Sequence, residues 1–292
     1  MTAIACIDLH SHCTASDGTL SPAELIAHAQ ERGLTHLALT DHDTVAGVAE
    51  ALEAARGVLC LIGGIELSAL WRNQQIHVVG LGLDHQHPAL LDFVKGQRVK
   101  REMRAAEIAR KLEGLGFAQA LERTAAQTRP GAVLTRGNFA RFIAGEGVVR
   151  NSDEAFERYL KEGRPAFVRT PWGGVDEAVA VIRQCGGLAV LAHPKRYELT
   201  NTRLRELIGF FRDCGGEGME VASCQQRPSD RAYLAELCLR YGLLASQGSD
   251  FHSAERYRDL GLGLKLPDKL TPVWRAPRLA GYFESVSQQG PA

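Results

Sequence analysis

The sequence predicts an α/β barrel of irregular shape carrying a mostly helical insertion. Seven short apolar runs have the length of buried strands, most are followed by a helical stretch, and each ends in polar residues. Strand and helix in alternation imply buried parallel strands. Polar residues gathered at the C-terminal strand ends favour a barrel, whose active face lies there, over an open sheet.

The runs are Ala3 to Leu9, His36 to Thr40, Val58 to Ile65, Ile76 to Leu83, Leu188 to Ala192, Met219 to Ala222 and Leu243 to Gln247. After the first, Ser21-Pro22-Ala23-Glu24 places an N-cap Ser, a Pro at N1 and a Glu at N3, a capping box that opens a helix to about Arg32, with Gly33 as its stop. A second helix is expected from Val175 to Cys185, ending at Gly186-Gly187. The hundred or so residues between the fourth and fifth runs show only helical periodicity, over Val99 to Leu115, Asn138 to Gly145 and Asp153 to Glu162. The expected organisation is a barrel over 1–95 and 168–292, with residues 96–167 as a helical cap over its mouth. The Pro-rich tail closes with Gln288-Gln289-Gly290-Pro291-Ala292 and is expected to fray.

A chain of 292 residues buries a large core, and its 34 basic residues balance 34 acidic ones, so no overall charge points to nucleic acid or membrane. Locally, Lys95 to Arg164 holds 15 Lys/Arg against 9 Asp/Glu, leaving 19 against 25 elsewhere. An acidic frame suits gathered cations and a basic insert suits an anion held over them, although solvated surface charge would scatter in the same way. The seven cysteines, odd in number and without a Cys-x-x-Cys pair, suggest a reducing compartment. With no run long enough to span a bilayer and no signal-like start, a cytoplasmic location is expected. No protein partner is implied.

Six of the ten histidines fall in short signatures: Asp8-Leu9-His10-Ser11-His12, Thr40-Asp41-His42-Asp43, His77, Ala192-His193-Pro194 and Gly248-Ser249-Asp250-Phe251-His252, beside Ser16-Asp17-Gly18 and Gly64-Ile65-Glu66. His10 and His12, spaced i, i+2 at a strand end, point to one side and can grip one cation, with Asp8 placed to orient a ring. The candidate ligands are His10, His12, Asp17, His42, Glu66, His77, His193, Asp250 and His252. Nine are too many for one ion, and with one bridging carboxylate they would serve three. Imidazole and carboxylate without thiolate suit Mn²⁺, Fe²⁺, Zn²⁺ or Mg²⁺. Three divalent ions against Asp17, Glu66, Asp250 and a bridging hydroxide leave a charge of about +2, which a dianionic phosphate complements.

Together these motifs resemble the PHP family (polymerase and histidinol phosphatase) of phosphoesterases, along most of the chain. The resemblance implies a distorted (β/α)7 barrel and a trinuclear site, often manganese. Carried over by position, it implies one ion on His10, His12, Glu66 and Asp250, a second on Glu66, His77 and His193, and a third on Asp17, His42 and His252. Many members have His where this chain has Asp17, which makes the third site more anionic. Ser16-Asp17-Gly18, the stretch Leu134-Thr135-Arg136-Gly137-Asn138-Phe139-Ala140 and the length look most like bacterial members that hydrolyse 3',5'-nucleotide bisphosphates, a group also similar to enzymes that trim short RNA from its 5' end. The expected reaction is release of the 3'-phosphate of adenosine 3',5'-bisphosphate, giving AMP and phosphate, by attack of a metal-activated hydroxide. The alternatives are a 5'-3' exoribonuclease on short RNA, for which the basic insertion would be an electrostatic track, and a histidinol phosphate phosphatase. A binding module without chemistry is disfavoured by the complete ligand set.

The substrate's other phosphate needs its own clamp, for which Arg136, Asn138, Lys195 and Arg227 are the candidates. Glu220 is expected to hydrogen-bond a ligand ring or a substrate hydroxyl, and Asp41 to act as an acid or to orient a ring. His28 and His36 read as structural, His85 and His87 lie apart from the motifs, and Trp71, Trp172 and Trp274 read as packing.

Overall fold

The computed structural model describes residues 6–255 and 257–284. Its seven strands are β1 (Ile7–Asp8), β2 (His36–Leu39), β3 (Cys60–Trp71), β4 (Gln74–Leu81), β5 (Leu188–Leu191), β6 (Gly218–Ala222) and β7 (Leu244–Gln247), hydrogen-bonded in sequence order. The first and last are joined by Leu9 N to Gln247 O at 3.1 Å, the Gln247 amide to Ile7 O at 2.7 Å, and Asp250 N to His10 O at 2.9 Å, so the sheet nearly closes on itself. The expected barrel with a helical insertion is the observed fold.

One strand departs from the expected parallel order. β4 pairs antiparallel with both β3 and β5, while the remaining neighbours are parallel. The chain reverses at Arg72, whose φ is 55°, in a turn without glycine or proline to announce it. As a result Glu66 and His77 lie inside their strands rather than at the ends, on opposite arms of one hairpin.

The helices follow their caps. Helix α1 (Pro22–Glu31) opens on the Ser21 and Glu24 box, with reciprocal bonds of 3.2 and 2.8 Å, and α2 (Val48–Ala55) packs beside it. The insertion holds α3 (Pro88–Glu113), α4 (Ala120–Ala126), α5 (Arg136–Gly145) and α6 (Ser152–Ala155), the last running into a π-helical turn over Phe156–Leu160. Helix α7 (Val175–Gln184) follows the insertion, and α8 (Asn201–Asp213) and α9 (Pro228–Tyr241) complete the wrap. The tail from Gln288 to Ala292 lies outside the described residues, as does the start of the first apolar run.

The insertion has a core of its own, including Ile108, Leu112, Phe139, Phe142, Ile143 and Leu160. The boundary at residue 96 falls inside α3, because Leu90 at the start of that helix packs into the barrel's cluster. Between the two cores, Asp43 receives Arg101 Nε at 2.8 Å, Gln97 Nε2 at 2.9 Å and Ser68 N at 2.8 Å, all buried. A buried carboxylate so fully bonded fixes α3 against β3.

Candidate metal centre and cleft

Glu66, wholly buried on β3, is the hub of the site. Its Oε1 lies 2.9 Å from His77 Nδ1, 3.0 Å from His193 Nε2 and 3.4 Å from His10 Nε2, and its Oε2 lies 2.7 Å from His42 Nδ1 and 3.5 Å from His12 Nε2. Asp250 Oδ1 approaches His12 Nε2 at 3.0 Å and His10 Nε2 at 3.3 Å. Asp17 Oδ1 is 3.3 Å from His252 Nε2, and its Oδ2 is 3.8 Å from His42 Nε2. All nine residues singled out in the sequence therefore meet in one cluster.

Within it, three sets have ligand atoms lying within 4.8 Å of one another: His10, His12, Glu66 and Asp250; His42, Glu66 and His77; and His12, Asp17, His42 and His252. The first set has the composition carried over from the family. The other two differ because His42 stands between Glu66 and Asp17 with one ring nitrogen toward each, while His193 reaches Glu66 from beside His77.

This donor set fits cations. His10 Nε2, His42 Nδ1 and Glu66 Oε2 are buried and make no well-aligned hydrogen bond to a described residue, although they crowd around one centre. Burial alone would raise the Glu66 carboxyl, but His77, His42 and His10 outweigh it and hold it well below the usual range. Burial would likewise lower His252, yet Asp17 and Asp250 raise it to about 9, and Glu220, Glu66 and Asp250 lift His10 well above an ordinary histidine in the same way. Burial takes His42 down to about 4.

A pH dependence follows from His252. Without a cation the ring is protonated at neutral pH and must lose that proton to become a ligand. Affinity at this seat will rise about tenfold per pH unit from 7 to about 9 and then level. Calorimetric Mn²⁺ titrations across that range check it, and a flat profile overturns it. The raised pKa also means that the His252 contribution to stability of the metal-free fold is complete below pH 6.5 and lost as pH rises through about 9.

The surrounding residues aim the ligands. Glu220 Oε1 sits 2.6 Å from His10 Nδ1, which turns Nε2 toward Glu66, and its other oxygen takes the His193 amide at 2.5 Å. It touches the His10 ring, as expected of a residue bonding a ligand ring. Asp8 accepts from Ser249 N and Gly261 N, both at 2.9 Å, rather than orienting a ring, and so locks the Gly248–His252 loop onto β1. Gly248 is required there, since a Cβ would strike the Cβ of His10. Asp41 accepts from Cys13 N at 2.9 Å, Cys13 Sγ at 2.7 Å and Ser16 Oγ at 2.5 Å. With both oxygens taken it supports the turn before Asp17 and is not placed as an acid. The Tyr197 hydroxyl takes the His77 amide at 2.9 Å and donates to Ala192 O at 3.0 Å, pinning β4 beside His193.

Between cluster and insertion lies a cleft of about 740 Å³. Of the four residues expected to clamp a phosphate, Arg136 lines it, with its guanidinium 4.8 Å from the Phe156 ring. Asn138 does not serve there: its amide accepts from Thr135 N at 2.7 Å and donates to Ser16 O at 3.2 Å. Lys195 turns away to Asp230 at 3.4 Å, and Arg227 sits at the N-cap of α9. Arg196 instead reaches the site and bonds Asp250. The sequence reading also missed Arg101, Arg104 and Thr170, which line the cleft. The only signal for the two arginines was the basic excess of the middle segment, and Thr170 had none.

Arg104 and Arg136 form no salt bridge with a described residue. Burial, Arg136 and Arg101 together pull Arg104 well below the ordinary arginine range, and burial with Arg101 takes Arg136 down to about 10. Arg104 Nε, Thr170 Oγ1 and Trp172 Nε1 are buried donors without a partner among the described residues, and the guanidinium of Arg104 lies 5.7 Å from the Trp172 ring. Arg104 Nη2 reaches Gln75 Oε1 at 3.5 Å, and Gln75 Nε2 is 2.9 Å from His77 Nε2, so one side chain separates this wall from the cluster. His28 pairs with Asp259 at 2.6 Å and His36 stacks on Phe283 at 4.5 Å, both away from the site.

The PHP domain family matches residues 8–121 of the chain. A 5'-3' exoribonuclease of Escherichia coli is 44% identical over 92% of this chain and 92% of its own. A 3',5'-nucleoside bisphosphate phosphatase of Chromobacterium violaceum is 39% identical over 93% and 96%. A solved amidohydrolase structure from Chromobacterium violaceum, with bound sulfate and no metal, superposes with a TM-score of 0.89 at 38% identity, covering 95% of this chain and 97% of that one. The higher identity to the exoribonuclease overturns the expectation that the bisphosphate phosphatases are the nearer subgroup. No helix among the described residues is long and apolar enough to cross a membrane. The barrel, the convergent His/Asp/Glu cluster and full-length relatives agree: the chain belongs to the PHP family of metal-dependent phosphoesterases.

Proposed function

We propose that this phosphoesterase removes nucleotides from the 5' end of short RNA, cleaving the phosphorus–oxygen bond to the 3' oxygen of the first nucleotide. The observation that carries the reading is the cleft, where a wall of unpaired cationic and neutral donors stands one side chain from the His/Asp/Glu cluster. Identity to the exoribonuclease supports it. Released nucleotides would carry a 5'-phosphate and a 3'-hydroxyl, and the shortened RNA a new 5'-phosphate ready for the next cycle.

The nine residues of the cluster would hold three divalent ions, of which Mn²⁺ suits the donors. Bound there, such ions supply Lewis acidity and activate water. The chain's own groups do the rest. Glu66 and Asp250 set the charge of the floor, and Arg196 beside Asp250 adds a donor for phosphoryl oxygens. Arg104, Arg136 and Thr170, which line the cleft, would take the terminal 5'-phosphate, whose two charges match two guanidiniums. Residues 96–167 form the roof: Arg104 and Arg136 both belong to it, and Arg101 on the same helix as Arg104 fixes it on Asp43.

The test is hydrolysis of a 5'-phosphorylated RNA pentamer by the Mn²⁺-loaded protein, beside its 5'-hydroxyl form and adenosine 3',5'-bisphosphate, with products separated by chromatography. Successive 5'-mononucleotides, faster from the phosphorylated RNA, are expected. Turnover of the bisphosphate with no mononucleotides from either RNA overturns the reading.

A further inference from the structure

Asp17 stands on no strand. The turn that carries it, Thr14 to Asp17, touches the barrel through Asp41 and Ser16. Beside local bonds to Cys13 and Leu20, four more come from the insertion. Val133 N donates to Ala15 O at 3.0 Å, Asn138 Nδ2 to Ser16 O at 3.2 Å, Arg141 Nη1 to Asp17 O at 2.6 Å and Thr135 Oγ1 to Asp17 Oδ2 at 2.5 Å. Four donors from residues 133–141 thus meet three consecutive residues of the turn.

The Thr135 bond has a fixed direction. Its Oγ1 accepts Gly137 N at 2.9 Å as the cap of α5, so its own hydrogen is free to be given to the carboxylate. Gly137 completes the fit, because a Cβ there would lie 2.6 Å from Asp17 Oδ2. The first turn of α5 therefore closes on this carboxylate with a hydroxyl and with space only a glycine leaves, and the helix N-terminus favours the negative charge. Held in this way, Asp17 keeps Oδ1 toward His252 and Oδ2 in view of His42.

We infer that the insertion, rather than the barrel, sets the third cation seat, with Thr135 and Gly137 as positioning residues for Asp17. This rests on the three-ion reading proposed above. The first two seats are built from barrel residues alone, and among the described residues the insertion bonds a ligand carboxylate directly only at the third. Because α5 also carries Arg136 into the cleft, occupancy of that seat and binding of RNA under the roof are linked, each strengthening the other by the same factor.

The experiment counts bound Mn²⁺ by elemental analysis after dialysis and measures stepwise affinities by calorimetry, for the natural protein and for Thr135→Val, Thr135→Ser and Gly137→Ala. Three ions are expected in the natural protein. In Thr135→Val and Gly137→Ala the two tight ions should be retained while the third weakens about tenfold or more. Thr135→Ser, which keeps the hydroxyl, should restore it. Circular dichroism and the two retained ions report that each variant is folded. Only two ions in the natural protein overturns the three-ion reading, and this inference falls with it. Three ions with all variants unchanged, or a uniform loss of all three in both Thr135→Val and Gly137→Ala, overturns the inference alone.

Discussion

Glu66→Gln will lower kcat by about 10³-fold or more, a loss of the size seen when a preorganised charge is removed from a reacting centre. Five imidazoles lie within 3.5 Å of this one carboxylate, and two of the three ligand sets share it. An amide offers a single acceptor oxygen and turns an NH₂ toward rings that now face a donor. Two ions should be lost together, while the set around Asp17, His42 and His252 retains its carboxylate. Elemental analysis beside steady-state kinetics checks both parts. A variant that keeps three ions and turns over within tenfold of the natural protein removes Glu66 from the centre of the site.

Arg104→Gln will move binding and stability in opposite directions. A charged hydrogen bond contributes about 1.5–3 kcal/mol, so KM for 5'-phosphorylated RNA should rise roughly 10- to 100-fold. The 5'-hydroxyl RNA, which does not present the dianion, should be nearly unaffected, as should kcat. In the absence of RNA the same change removes a buried guanidinium that makes no salt bridge with a described carboxylate, and that burial, Arg136 and Arg101 disfavour more than Asp43 favours. Such a charge costs stability, so the melting temperature should rise. Equal loss on both RNAs would assign Arg104 to general electrostatics, and a lower melting temperature would assign it to the fold.

The strands and the metal cluster were legible because both depend on local pattern. A buried run such as Leu188–Leu191 is apolar whatever its neighbours, and His10, His12, His42, His193, Asp250 and His252 follow their runs directly. Strand direction has no such mark: β4 has the same composition either way, and Arg72-Asn73 is an undistinguished turn. Adjacency to a motif also proved a poor guide to orientation. His193 adopts φ 28°, and the short 3₁₀ turn Pro194–Arg196 then swings Arg196 to Asp250 and Lys195 outward. Arg101 and Arg104 do not stand out within the basic segment, since nothing in a sequence tells a buried arginine face from an exposed one before its acceptors, Asp43 and Gln75, are placed.

The reversal at Arg72 also fixes a length. Gln75 and His77 are two residues apart on β4, on one face of the pleat and separated by about 7 Å. Gln75 touches the wall that would hold the RNA's end, and His77 belongs to the cluster where the bond would break. One end of the spacing between grip and cut is thus fixed within a single strand, while the other depends on how Arg104 of the insertion is seated on Gln75. Movement of the roof would therefore change both how tightly RNA is held and how far its held end lies from the bond that would break.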